Sequence, residues 1–484
     1  MGVPLFYRWI ENNNKNNLLL ISNNLNLRID YLMIDMNCLL HPCVEFIVSE
    51  YKNGKILNIK RREDIEKLIW DKIEEYMNDL LKRLKPLNLF IAVDGVAPMG
   101  KINQQRQRRY KQNEIEINKF CPFRSLELTP GTPYMERLHN NFINYCEKLN
   151  IKYNYSSCFE EGEGEHKIMN FIKKNNEMNK NIVIYGLDAD LLFLSLTDNL
   201  KNNMFVMREK QYFDNKDEKN LMENIEKNIY NYVNINEFHK IINDYNVKSD
   251  EFIILCYLLG NDFMPSILSL NIKKKGIEHL IKALLNVKKN NKQKNLVNNN
   301  KIDYEMLFEI IKNVAWTEQK YFDYNSTFNN GYEYYKYYLK KNIEIEEQKK
   351  AMVLKYIETI EWCYKYYNEY CYSWKHYYNY NAPPLIEDII KYYPKKINIK
   401  YHDVKLKPIE QLILVIPLKF YCFVFNENIL MKLKDNKNFL KIKYMLPNKF
   451  IVDKNRENVE WKQNIIVPFI DYEYFLKIMN LINL

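Results

Sequence analysis

The sequence predicts an α/β fold: a central, mainly parallel sheet flanked by helices, joined to a mostly helical, aromatic-rich second region packed against it. Three observations carry this. Short apolar runs alternate with helical patterns over residues 1–285, as they do where parallel strands are joined by crossover helices. An Asn/Lys-rich stretch follows (286–302), polar and aperiodic, reading as a linker or surface insertion. Beyond it, residues 303–484 turn helical, and tyrosine is dense between 321 and 393. With 484 residues, 47% of them hydrophobic, the chain is long enough to bury a large core.

The apolar runs share a second property: each delivers a carboxylate. YLMIDMN (31–37) reads as a buried strand ending at Asp35. RREDIEKLIWDKIEEYMNDLLKRLK (61–85) follows as a helix, with Ile65, Leu68, Ile69, Ile73, Met77, Leu80 and Leu84 on one stripe. NLFIAVDG (88–95) is a second strand, reaching Asp94, and NIVIYGLDAD (181–190) a third, reaching Asp188 and Asp190. In FIILCYLLGNDFMP an apolar helix and a glycine precede Asp262. Carboxyl ends of parallel strands are where open α/β sheets place ligands. A single aspartate in such a position is as well explained as a helix cap or turn residue, but four together are not.

The stretch EEGEGEHKIMNFI (160–172) crowds four glutamates and two glycines into six positions, in a chain with only 11 glycines. Glu163 and Glu165 lie where a glycine-flanked segment feeds a helix, so backbone can approach closely and both carboxylates can face one point. Gathered in one place, Asp35, Asp94, Glu163, Glu165, Asp188, Asp190 and Asp262 would repel one another unless cations neutralised them. Hard divalent ions suit an all-oxygen set, Mg²⁺ being the expected one. Two such ions about 4 Å apart are apparatus for phosphoryl transfer to water. A phosphate-binding G-x-x-x-x-G-K-[ST] loop and an H-E-x-x-H motif are both missing.

Directly after Asp94 comes GVAPMGKINQQRQRRYKQ. On a helix Lys101, Gln105, Arg108 and Arg109 fall at i, i+4, i+7 and i+8, one face of three cations and an amide. That set suits a terminal phosphate, which Arg can grip through two parallel hydrogen bonds. Flat side chains for stacking unpaired bases are offered by His41, six residues past Asp35, and by Trp374 in SWKHYYNY or Trp362. The formal charge of +10 favours an anionic partner, although lysine rises here together with asparagine, isoleucine and tyrosine. Nine cysteines without a C-x-x-C pair argue against a disulfide framework or a thiolate zinc site, and no 18-residue apolar run exists. A soluble, intracellular protein without membrane partners is expected.

Taken in order, MGVPLFYRWI, DMNCLLHPC, DGVAPMGKINQQRQRRYK, TPGTPYM, GEGEHKIM, YGLDADLLFL, MREK and GNDFMPSILSL resemble the first conserved region of the XRN family of 5′→3′ exoribonucleases. YIETIEWCYKYYNEYCYSWKHYYNYNAP, PIEQLILVIP and VEWKQNIIVPFIDY resemble its second. The resemblance runs end to end and implies a PIN-like 5′-nuclease fold, with 1–285 as the nuclease region and 303–484 closing its channel. It implies two Mg²⁺ ions, for which Mn²⁺ can substitute, on the seven acids named. Single-stranded RNA with a 5′ monophosphate would be degraded processively to nucleoside 5′-monophosphates. Lys101, Gln105, Arg108 and Arg109 would bind the 5′ phosphate, and His41 with Trp374 or Trp362 would stack on the first base.

A decapping enzyme or pyrophosphohydrolase would supply such ends, in RNA decay or processing. The chain departs from the family at Cys38 (usually glycine), Met99 (usually basic) and Asn271 (usually aspartate). KHYYNYNAP also stands where the family has WYYPYHYAP, so the internal proline and histidine of that block are replaced. A long C-terminal extension, and the protein contacts made through it, are not expected. A structure-specific flap-type DNase and a catalytically silent RNA-binding scaffold are the alternative readings.

Overall fold

The computed structural model describes residue 3 and residues 5–13, 18–22, 25–56, 59–116, 123–175, 178–197, 201–209, 230–290, 294–324, 327–339, 344–453 and 464–482. Residues 14–17 of the Asn/Lys run NNNKNN (12–17), which reads as a surface insertion, Lys210 of MREK and residues 459–463 of the last motif lie outside the described residues. So do Met1, Gly2 and Pro4 of the opening motif.

Seven strands form the central sheet: β1 (Leu19–Ser22), β2 (Tyr31–Asp35), β3 (Asn88–Ala92), β4 (Lys152–Ser156), β5 (Asn181–Tyr185), β6 (Asn203–Glu209) and β7 (Tyr230–Asn234). Their order is β1-β7-β6-β5-β2-β3-β4. From β6 to β4 every pairing is parallel, while β7 and β1 extend the other edge antiparallel. The central strands β2, β3 and β5 are buried from their second residue onward, which is why they read as near-continuous apolar runs. The order reverses around β2, where crossovers leave toward both edges. A crevice for a ligand therefore opens beyond the carboxyl ends of β2, β3 and β5.

The helix Arg62–Leu84 buries Ile65, Ile69, Ile73, Met77, Leu80 and Leu84 as its stripe predicts, and adds Tyr76. Leu68 of that stripe is only half-buried at the border of the cluster on this face of the sheet. On the other face one apolar cluster runs from Val3 to Ile389, through the helices Ser249–Tyr257, Gly276–Asn290 and Ile345–Asn368. This cluster crosses the Asn/Lys-rich stretch, which the sequence reads as having little to bury. The helix Gly276–Asn290 continues into that stretch, and Leu296 and Val297 are buried beyond it. The reason is Glu251, a fully buried carboxylate: Lys288 Nζ lies 2.5 Å from Oε2 and Leu296 N donates to Oε1 at 2.8 Å. Among the described residues no helix is long and apolar enough to cross a membrane.

The helix Met99–Glu116 joins the two regions. Met99 and Ile102 pack with Leu412, Ile413 and Phe475, so the departure at Met99 is core packing rather than a lost surface cation. Arg106, on the side away from Lys101, is fully buried and donates to the carbonyls of Met445 and Pro468. Arg106→Ala would leave both carbonyls without their donor and open a void, so a loss of about 3 kcal/mol is expected in urea unfolding. An unchanged midpoint would show that the C-terminal segment does not depend on this anchor.

Candidate active site

Asp35 closes β2 and caps the following helix, its Oδ1 accepting from Asn37 N at 3.3 Å. Asp94 stands two residues past β3. Its Oδ1 accepts from Gly164 N at 2.6 Å and its Oδ2 from the Asn37 amide. Gly164 opens the helix Gly164–Asn175, so an unpaired N–H at a helix start meets a carboxylate from a neighbouring strand. A Cβ at Gly164 would lie 2.7 Å from Asp35 Oδ1, which requires glycine here.

The same is true opposite, where the acidic segment lies along the end of β3. Gly95 N donates to Gly162 O at 2.9 Å and Gly162 N to Val96 O at 2.8 Å. A Cβ at Gly95 would fall 1.7 Å from Glu160 O, and Gly162 has φ of +102°. The glycines of EEGEGEH thus let an acidic strand-like segment pair backbone to backbone beside Asp94. Lys167 pins the arrangement from beneath, its ammonium donating to Val93 O and Ser157 O, each at 2.7 Å.

Two clusters of possible metal ligands result. Glu163, Glu165 and His166 have ligand atoms within 4.8 Å of one another, as do Asp188, Asp190 and Asp262. Asp35 and Asp94 bridge toward them, since the Asp35 carboxyl feels the charges of both Asp94 and Asp188. All seven acids therefore meet beyond the strand ends. Burial, then Asp94, push the Asp35 carboxyl up to about 7. Burial also raises Glu165 and Asp190 well above the usual carboxylate range, Asp188 adding its repulsion in both cases. Asp190 is 1% exposed, and neither of its oxygens has a hydrogen-bond partner. A buried carboxylate with both oxygens unpartnered fits a cation. The set as a whole can hold metal.

The basic face is divided. Lys101 is buried, its ammonium 2.6 Å from Glu163 Oε2 and 2.9 Å from Asp262 Oδ2. Arg108 is exposed and Gln105 and Arg109 are half-buried, with Arg109 donating to Thr129 Oγ1 at 3.3 Å. His41 is half-buried near both arginines. Burial, then the cations of Arg109 and Arg108, lower it to about 3, so the ring is neutral at physiological pH.

The two candidate tryptophans differ. Trp362 is fully buried, stacked between Tyr366 (4.9 Å) and His376 (5.7 Å), with Nε1 donating to Ser373 O at 2.8 Å. Trp374 is 8% exposed beside the start of the Met99–Glu116 helix, where its carbonyl accepts from Met99 N, and Lys405 lies over its ring.

With this geometry in place, comparison with known proteins is direct. Residues 1–211 match the family model described as XRN 5′-3′ exonuclease N-terminus, and residues 242–332 and 326–483 match that of the Xrn1 helical domain. The chain belongs to the XRN family. Among relatives of this XRN protein, 5′-3′ exoribonuclease 1 of Homo sapiens is 26% identical over 602 aligned residues, covering 100% of this chain. The Saccharomyces cerevisiae protein of the same name is 32% identical over 58% of the chain, and that of Schizosaccharomyces pombe 25% over 97%. The chain spans 34%, 20% and 48% of these three proteins, respectively.

The XRN departures also have structural accounts. Cys38 donates its thiol to Asp35 Oδ2 at 3.1 Å and accepts from Leu187 N at 3.2 Å, so it braces an acid of the site. Asn271 caps a short 3₁₀ turn by accepting from Lys274 N. Four residues at the site were not singled out from sequence: Asn37, His166, Lys167 and Tyr366. All four lie inside quoted motifs, and for the first three polarity beside an acid of the site is a usable signal. Tyr366 donates to Glu163 Oε1 at 2.8 Å across 203 residues of chain, and it is one of 39 tyrosines.

Proposed function

We propose that the chain is a 5′→3′ exoribonuclease that hydrolyses single-stranded, 5′-monophosphorylated RNA processively to nucleoside 5′-monophosphates. Two divalent ions, Mg²⁺ in the cell, would be held by Asp35, Asp94, Glu163, Glu165, Asp188, Asp190 and Asp262. The observation that carries this reading is Asp190, buried with both oxygens unpartnered at the meeting point of strand-end acids. The relatives' names support the reaction class. Bound there, the ions supply an acidified water and neutralise charge on the phosphorus and the leaving oxygen.

The chain's own groups do the rest. Arg108 and Arg109 grip the terminal phosphate, and Gln105 donates its amide from the same face. His41, neutral and flat, stacks on the first base, and Trp374 is the better placed of the two tryptophans to complete that stack, since Trp362 is enclosed. Lys101 keeps charge balanced between Glu163 and Asp262. A phosphate seated against this helix leaves no room for a cap or triphosphate, so an enzyme of the decapping or pyrophosphohydrolase class has to act first. Stacking and phosphate contacts are blind to base identity, so no sequence preference is expected.

The test is degradation of 3′-labelled RNA in Mg²⁺, bearing a 5′ monophosphate, 5′ hydroxyl or 5′ triphosphate. Loss of the monophosphorylated strand at least tenfold faster than the others is expected. Equal attack on all ends, or internal cuts, would move the assignment toward a structure-specific nuclease. No cleavage would leave a silent RNA-binding scaffold.

A further inference from the structure

Glu163 takes its support from residues distant in sequence. It sits between Gly162, in a left-handed conformation, and Gly164, so its own backbone does little to aim its side chain. The aim comes from elsewhere. Oε2 faces the Lys101 ammonium at 2.6 Å, and Oε1 accepts the Tyr366 hydroxyl at 2.8 Å, at a carboxylate only 2% exposed.

Tyr366 itself is held firmly. Its ring stacks on His166 at 3.8 Å and on Trp362 at 4.9 Å, and meets Phe263 edge-on at 5.7 Å. His166 adjoins Glu165, and Phe263 adjoins Asp262. A single ring from the helix Ile345–Asn368 thus touches residues next to acids of both ligand clusters and hydrogen-bonds a third acid directly.

We propose that Tyr366 is a positioning residue of the acidic site: its hydroxyl orients Glu163 toward a divalent cation, so the second region sets the metal affinity of carboxylates borne by the first. This rests on the metal-binding role proposed above. Partners of metal-bound carboxylates typically change affinity by about 10- to 100-fold when removed.

Tyr366→Phe keeps the ring and its stacking and deletes only the hydroxyl. Mn²⁺ binding to the whole chain, followed by calorimetry or by loss of the free-ion spin-resonance signal, should weaken about tenfold. In RNA degradation, kcat should fall at limiting Mg²⁺ and return toward wild type at saturating Mg²⁺, with KM for RNA unchanged. Tyr421→Phe removes another buried hydroxyl, one that donates to Ile413 O at 2.7 Å far along the chain, and should leave Mn²⁺ affinity alone.

In a Glu163→Gln background, Tyr366→Phe should weaken Mn²⁺ binding no further. Wild-type Mn²⁺ affinity in Tyr366→Phe would overturn the proposal, as would a deficit equal to that of Tyr421→Phe or one fully additive with Glu163→Gln. If the wild-type chain binds Mn²⁺ but degrades no RNA, a weakened Tyr366→Phe still supports the positioning role while the nuclease reading falls. If the wild type binds no Mn²⁺, both fall.

Discussion

Asp190→Asn is expected to abolish RNA degradation, by about a thousandfold or more, while making the protein more stable when divalent ions are chelated. The first effect follows from the role proposed for Asp190, since a lost metal ligand would remove several kcal/mol of charge stabilisation at the reacting phosphate. The second follows from burial. Asp190 is 1% exposed with both oxygens unpartnered, and burial, then the charges of Asp188 and Asp262, raise its carboxyl well above the ordinary value.

A carboxyl raised on folding binds its proton more tightly in the folded chain than in the unfolded one. Its contribution to stability is therefore intact below the unfolded value of about 4 and is lost as pH climbs toward the folded value. Asparagine removes that loss, because its amide is neutral and can donate to the neighbouring acids. Thermal unfolding in EDTA at pH 7.5 should place the variant above wild type by about 1–3 kcal/mol, with the gap closing at pH 4. In Mg²⁺ the order should reverse, because wild type gains binding energy that the variant cannot. A variant less stable than wild type in EDTA at pH 7.5 would contradict a strained, cation-seeking Asp190.

Lys101→Met is expected to have the opposite signature. The Lys101 ammonium is buried and paired with Glu163 and Asp262, and its removal strands both carboxylates. Breaking a buried pair in this way typically costs about 3–5 kcal/mol. Divalent ions would replace the missing charge, so Mg²⁺ should raise the melting temperature of the variant more than that of wild type, and Mn²⁺ affinity should rise. Activity should still fall, because Glu163 and Asp262, two of the proposed metal ligands, lose the partner that orients them. Equal stability of variant and wild type in EDTA would show that Lys101 does not balance these acids.

Most of the acidic constellation is legible in the sequence. A strand buried on both faces leaves a run of apolar letters, and a charged letter at its end stands out, as at Asp35, Asp94 and Asp188. The EEGEGEH segment was legible too, because glycine is scarce in this chain and its alternation with glutamate predicts backbone contact, here with Gly95 and Val96. The Asn/Lys-rich stretch misled, since composition cannot show that Glu251 would bury Lys288 and recruit Leu296. The two tryptophans could not be told apart by neighbours in sequence, because enclosure of Trp362 depends on rings from Tyr366 and His376.

The sequence by itself determined the α/β architecture, the family and which carboxylates stand at strand ends, because all of these are written in local periodicity and short motifs. Only the tertiary structure decided that Lys101 is spent on Glu163 and Asp262, leaving Arg108 as the solvent-exposed cation of that face. It alone, too, set Tyr366 on Glu163. Those pairings join residues 62, 161 and 203 positions apart. Their energies come from burial and mutual orientation, which no local pattern of letters encodes.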